Sequence, residues 1–116
     1  MGVVREAGSC EIDIIKEMAE GLGSTGLKLE DILEKTQAAR DVAMRFVEQY
    51  RSAESSLGRG PDLAVVNEAI RTYNELVAEA EDALRWLLIQ REACGFRIHR
   101  NVEIHYPIPS RMKFLP

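Results

Sequence analysis

Aromatic residues are scarce in this sequence: one Trp, three Tyr and three Phe make up 6% of 116 residues. A sandwich or barrel core is poorly supplied by such a composition, because strands draw on aromatic and β-branched side chains. Cysteine is nearly absent. Cys10 and Cys94 are too few and too far apart for a disulfide framework, so reduced thiols in a cytoplasmic protein are expected. No run approaches the roughly 20 apolar residues that span a bilayer, so no membrane association is expected. The opening MGVVREAGSC has neither a basic start nor an apolar stretch and does not read as a signal peptide. Glu6 stands where a myristoylation motif needs Ser or Thr. Phosphate-loop chemistry is also missing, since the glycine run GLGSTG follows no strand and lacks a Lys-Ser/Thr end. No Glu-x-x-His pair lies in the helical stretches, which removes the usual carboxylate di-iron bundle.

What is present is a folded helical protein. A hydrophobic fraction of 46% beside 29% charge argues against disorder, and 116 residues make one domain, 1–116. Leu, Ile, Val and Ala must supply the core. The fold class expected is mostly α: a long antiparallel helical hairpin with a short helix before it and a strand or extended arm after it.

Ile12, Ile15, Met18 and Ala19 recur at helical spacing and predict a short helix over 9–20, ended by the glycine-rich link at 21–26. A second helix is predicted over 29–57. Its heptad stripe reads Leu29, Thr36, Ala43, Tyr50 and Leu57, with Ile32, Ala39, Phe46 and Ala53 interleaved, a coiled-coil pattern. The Thr36 hydroxyl is expected to bond back to the preceding turn. Gly58, Gly60 and Pro61 form a short link that turns the chain back on itself. A third helix over 62–94 carries Leu63, Val66, Ile70, Tyr73, Val77, Ala80, Leu84 and Leu87, alternating by three and four without a miss. A second apolar set runs beside it: Ala69, Leu76 and Ala83, with Trp86 and Leu88. Gly95 is the expected stop.

From Phe96 to Tyr106 the pattern changes to strict alternation, broken only by Arg100, which predicts a half-buried strand over 96–106. Pro107 and Pro109 open an extended tail over 107–116. No second strand exists in the sequence, so the backbone of this segment needs a partner from elsewhere. Residues 95–116 carry +3, which leaves −7 on the rest of a chain with net charge −4. The basic tail is expected to lie along acidic helices, its own or a sister subunit's.

Two constellations in this segment bear on chemistry. His99, Glu103 and His105 share one face of the expected strand, but neighbours splayed about 7 Å apart do not close a tetrahedral site, and no metal or cofactor is expected. Arg100-Asn101-Val102-Glu103-Ile104-His105 matches R-N-x-x-x-H and resembles the motif of HEPN-type ribonucleases, small helical proteins that cleave RNA at a dimer interface. The resemblance implies Arg100 stabilising a phosphate, His105 in proton transfer and Asn101 orienting them. It covers six residues. The sequence departs from the family in that strand alternation sets Arg100 and His105 on opposite faces and Pro107 blocks a following helix.

Two long amphipathic helices present more apolar surface than their shared seam covers. The expected function is therefore a non-enzymatic helical interaction or scaffold module that forms a homodimer, two hairpins making a four-helix bundle. Interface residues expected from the pattern are Leu76, Ala83, Trp86 and Leu88 on the helix, with Ile98, Val102, Ile104 and Tyr106 on the strand. An unidentified protein partner, and an adaptor role in which the basic tail binds RNA or an acidic partner, are the remaining readings. Neither long helix has the Arg/Lys stripe of a general nucleic-acid binder.

Overall fold

The computed structural model describes the backbone of residues 9–56 and 60–116 and the side chains of residues 23–53 and 60–116. Among the described residues three helices follow one another: α1, Ser9–Ser56; α2, Leu63–Ala93; and α3, Arg100–His105. The two long helices pack against each other as a hairpin. At about 1.5 Å per residue the 48 residues of α1 account for the 74 Å length of the molecule. The Thr25 hydroxyl donates to the Gln90 side-chain oxygen at 2.6 Å, so α1 continues well past the point where α2 stops.

The separation of a helix over 9–20 from one over 29–57 is not seen. α1 runs unbroken through the glycines at 21–26. Glycine costs a helix about 1 kcal/mol against alanine but does not forbid helical dihedrals. The sequence also shows no change of register there, since Ile15, Leu22, Leu29 and Thr36 keep one heptad spacing across the supposed link. The hairpin turn is only partly visible: residues 57–59, and with them the expected stop at Gly58, lie outside the described residues. Gly60 sits so close to α1 that a Cβ on it would lie 2.5 Å from the Ala53 Cβ.

The seam follows the apolar stripes. Leu29, Thr36, Ala43 and Val47 of α1 face Val66, Ile70, Tyr73, Val77, Ala80 and Leu87 of α2, all buried. Thr36 is fully buried, and its hydroxyl donates to the Ile32 carbonyl at 2.7 Å, which removes the cost of an unpaired polar group in the core. At the end of α2 the Phe96 amide donates to the Arg91 carbonyl and the Gly95 amide to the Glu92 carbonyl. Gly95 takes φ +93°, the left-handed residue that this helix ending requires.

The strand expected over 96–106 is absent, and no strand occurs among the described residues. Its place is taken by the turn at 95–99 and by α3. The physical reason is local satisfaction of the backbone. With no second strand to pair with, residues 99–106 close their own bonds, from the Glu103 amide to His99 and from the Tyr106 amide to Val102. Alternation also hides a helical spacing, since Val102 and Tyr106 are four apart. Val102 is buried against Leu29, Ala80 and Leu87, and Tyr106 packs beside it.

After α3 the chain runs extended, antiparallel to α2, along one flank of the hairpin. Asn74 makes two hydrogen bonds to one residue: its amide nitrogen donates to the Met112 carbonyl at 3.0 Å and its oxygen accepts from the Met112 amide at 2.8 Å. Asn67, one heptad earlier, does the same to Leu115, at 3.0 and 2.8 Å. The buried Tyr73 donates to the Ser110 carbonyl at 2.6 Å. Met112 and Leu115 pack on the Ala43, Val47, Val66 and Ile70 cluster, while Ile108 packs on the Leu29 cluster. The tail thus covers part of the apolar surface that the seam leaves over.

The glycines of α1 give a paired test. A Cβ on Gly23 meets nothing within 4 Å, whereas one on Gly26 would lie 2.8 Å from the Tyr106 hydroxyl. Gly23→Ala is expected to raise the melting temperature by about 4 °C, the effect of roughly 1 kcal/mol of helix propensity. Gly26→Ala is expected to gain nothing or lose stability. Equal gains in thermal melts of the two variants would contradict the close approach of Tyr106.

Candidate functional site

The chemistry-bearing residues of the sequence are dispersed by the fold. His99, mostly buried, accepts a hydrogen bond on Nδ1 from Arg91 Nε at 3.3 Å and points Nε2 at Glu92, also at 3.3 Å. Arg91 further donates to the Ile98 carbonyl and lies 4.8 Å over the Phe96 ring, so one guanidinium organises the whole 95–99 turn. His105 faces the other helix, 3.6 Å from Glu30. The two histidines and Glu103 therefore do not converge, and no three His, Cys, Asp or Glu groups do so among the described residues. Cys94 is a free, half-buried thiol.

Arg100, Asn101 and His105 lie on α3, a helix and not a strand. Arg100 and His105 remain apart even so, because five positions carry a side chain about 140° around a helix. All three are exposed.

The larger feature is the contrast between the two flanks of the hairpin. Asn67, Asn74 and Glu81, spaced by sevens, hold the tail; Glu81 pairs with Arg111 at 2.6 Å. Ala69, Leu76 and Ala83 follow each of these by two positions, which turns them about 200° away around α2. The tail covers one flank and cannot reach the other. On that second flank one groove lies between Thr25, Lys28 and Ile32 of α1 and Ala83 and Trp86 of α2. A further groove is lined by Phe46, Val65 and Ala69. Leu76 and Ala83 are half-buried there, whereas Trp86 is 56% exposed and Val65 46%. The rim is charged: Glu68 and Asp82 pair with Arg71 and Arg85, and Glu79 and Lys28 stand beside them. Its hydrogen bond to Arg71 holds the Glu68 carboxyl below the usual carboxylate range.

Of the interface residues expected from sequence, Leu76, Ala83 and Trp86 therefore share this open flank. Ile98 and Ile104 are exposed at the end of the hairpin, 80% and 70%. Leu88, Val102 and Tyr106 are used within the chain, in the cluster around Leu29, against which Ala83 also packs. Asn67 and Asn74 were not singled out by sequence reasoning. Their signal is two asparagines one heptad apart, bordering a stripe that has no polar interruption.

No protein-family model, curated protein or solved structure matches the chain. Among the described residues no helix is long and apolar enough to cross a membrane.

Tyr106 joins α3 to this architecture and gives it a pH dependence. Burial, and after it the Glu30 carboxylate, pushes its hydroxyl above the ordinary phenol value. Folding thus favours the neutral phenol. That contribution is complete below the unfolded phenol value of about 10 and is lost as pH rises through the higher folded value. Stability is expected to fall more steeply on the alkaline side in the wild type than in Tyr106→Phe, followed by circular dichroism with phenolate absorbance. Identical alkaline profiles would remove Tyr106 from the account.

Proposed function

We propose that this chain is a non-enzymatic helical interaction module that works through the open flank of its hairpin and assembles through that flank as a homodimer. The observation that carries the reading is the asymmetry of the two flanks. One is covered by the tail; the other presents Ala69, Leu76, Ala83 and Trp86 in a line along α2, with grooves at both ends. An apolar line of this kind, interrupted by Thr72 and Glu79 but ending on the exposed Trp86, supports association. Two such faces related by a two-fold axis would form a four-helix bundle, each hairpin burying the other's stripe at about 25 cal/mol per Å² of apolar surface.

The scattering mass at micromolar concentration is expected to be about twice the 13.1 kDa of the chain. Leu76→Glu and Trp86→Glu are expected to give monomers, because each introduces a charge on the stripe. Glu79→Lys, on the charged rim, is expected to leave the dimer in place. A wild type that stays monomeric at every concentration would refute the homodimer, and the open flank would then require a different partner.

A ribonuclease reading retains one observation in its favour: the Arg100-Asn101-x-x-x-His105 motif stands on a helix. Against it stand the separation of Arg100 from His105 around α3 and the approach of the His105 ring to Glu30, at 3.6 Å. RNA cleavage by the wild type that disappears in His105→Ala would favour the enzyme. The adaptor reading loses part of its basic surface to the chain itself, since Arg111 is engaged by Glu81.

A further inference from the structure

We infer that the flank of α2 holding the tail is a recognition groove for extended peptide segments in which a basic residue precedes apolar residues at the next position and three beyond it. The chain's own residues 111–115 occupy it in cis. The inference concerns the opposite flank from the one proposed for the homodimer and stands independently of it.

The clamps read backbone. Each of Asn67 and Asn74 offers one N–H and one carbonyl oxygen and receives both complements from a single tail residue, as a neighbouring strand would do. The spacing is self-consistent: seven residues of α2 advance about 10.5 Å, and three residues of extended chain advance about 10 Å. Any non-proline residue satisfies a clamp. Continuing the same step, Glu81 falls opposite Pro109, which has no N–H to give. At that point the groove reads a side chain instead, and Glu81 takes the Arg111 guanidinium.

Side-chain selection is confined to few positions. Met112 and Leu115 are half-buried on the Ala43, Val47, Val66 and Ile70 cluster, while Lys113 and Phe114 are exposed. The required pattern is therefore basic, apolar, any, any, apolar. Main-chain pairing for affinity with pockets for alternate side chains for specificity is the logic of sheet-edge peptide recognition, transferred to a helix flank. Nothing in these contacts depends on covalent continuity with α3. A segment of the same chemistry supplied by a partner meets the same groups, and its complementarity to the acidic body, Glu81 foremost, favours it. The tail is the resident competitor.

The test uses the full chain and a fluorescent synthetic peptide with the sequence of residues 106–116. In a Met112→Asp, Leu115→Asp variant the tail is weakened and the groove is untouched. The peptide is expected to bind this variant saturably and at least tenfold more tightly than the wild type, whose own tail competes. Adding Asn74→Ala to the variant, or Arg111→Glu to the peptide, is expected to weaken binding; a scrambled peptide is expected not to bind. Absence of binding by a variant whose circular dichroism stays helical would overturn the inference, as would binding indifferent to Asn74→Ala. Should the variant lose its fold, the wild type decides. Millimolar peptide should move the Met112 and Leu115 amide resonances of the isotope-labelled chain toward unfolded positions, and unmoved resonances would overturn the inference. A dimer that the peptide converts to monomer would assign the groove to a second copy's tail and overturn its assignment to a foreign segment.

Discussion

An extended backbone with no strand beside it must find partners for its amides and carbonyls, and in this protein two asparagine side chains provide them. Asn67 and Asn74 do for the tail what a sheet would do, from the surface of a helix. Around that provision the rest is arranged. Because the tail is held on one flank, Met112, Leu115 and Ile108 complete the two apolar clusters of the seam. Because it reaches only that flank, the stripe on the other side of α2 stays open. The Arg111–Glu81 pair adds alignment more than energy, since both side chains are about half exposed and such pairs contribute about 0–1 kcal/mol.

Much of the hairpin was legible in the sequence, because its logic is periodic. The α2 stripe from Leu63 to Leu87 predicted the buried line, with Leu63 and Leu84 only half-buried in the event. Thr36 was legible as a buried hydroxyl bonding one turn back, and Gly95 as the helix stop. Three features were not. The glycines at 21–26 read as a break by composition, although the heptad from Ile15 to Leu29 passes through them. Phe96 to Tyr106 read as a strand because alternation and a four-residue helical spacing share positions such as Val102 and Tyr106. Asn67 and Asn74 drew no notice, since a side chain that pairs with a distant backbone leaves no periodic trace of its partner.

The candidate site divides in the same way. That Leu76, Ala83 and Trp86 lie along one flank of α2 was legible, since a stripe is a one-dimensional pattern. Leu88, Val102 and Tyr106 could not be separated from them, because only the packing of α3 decides that they turn inward. The histidines illustrate the converse. His99 and His105 share a face in an extended chain but are sent to Glu92 and Glu30 once residues 100–105 coil. The two flanks that result differ in kind. One is polar enough to pair with an extended backbone; the other carries an apolar line that the tail leaves uncovered.

The seating of the tail is the claim on which the core, the open flank and the groove all rest, and backbone amide hydrogen exchange measures it directly. The amides of Met112 and Leu115 donate to Asn74 and Asn67, whereas those of Lys113 and Phe114 make no hydrogen bond among the described residues. Protection is expected at Met112 and Leu115, flanking rapid exchange at Lys113 and Phe114, with the protection at Leu115 lost in Asn67→Ala. Uniformly rapid exchange from residue 110 to residue 115 in the wild type would contradict that seating.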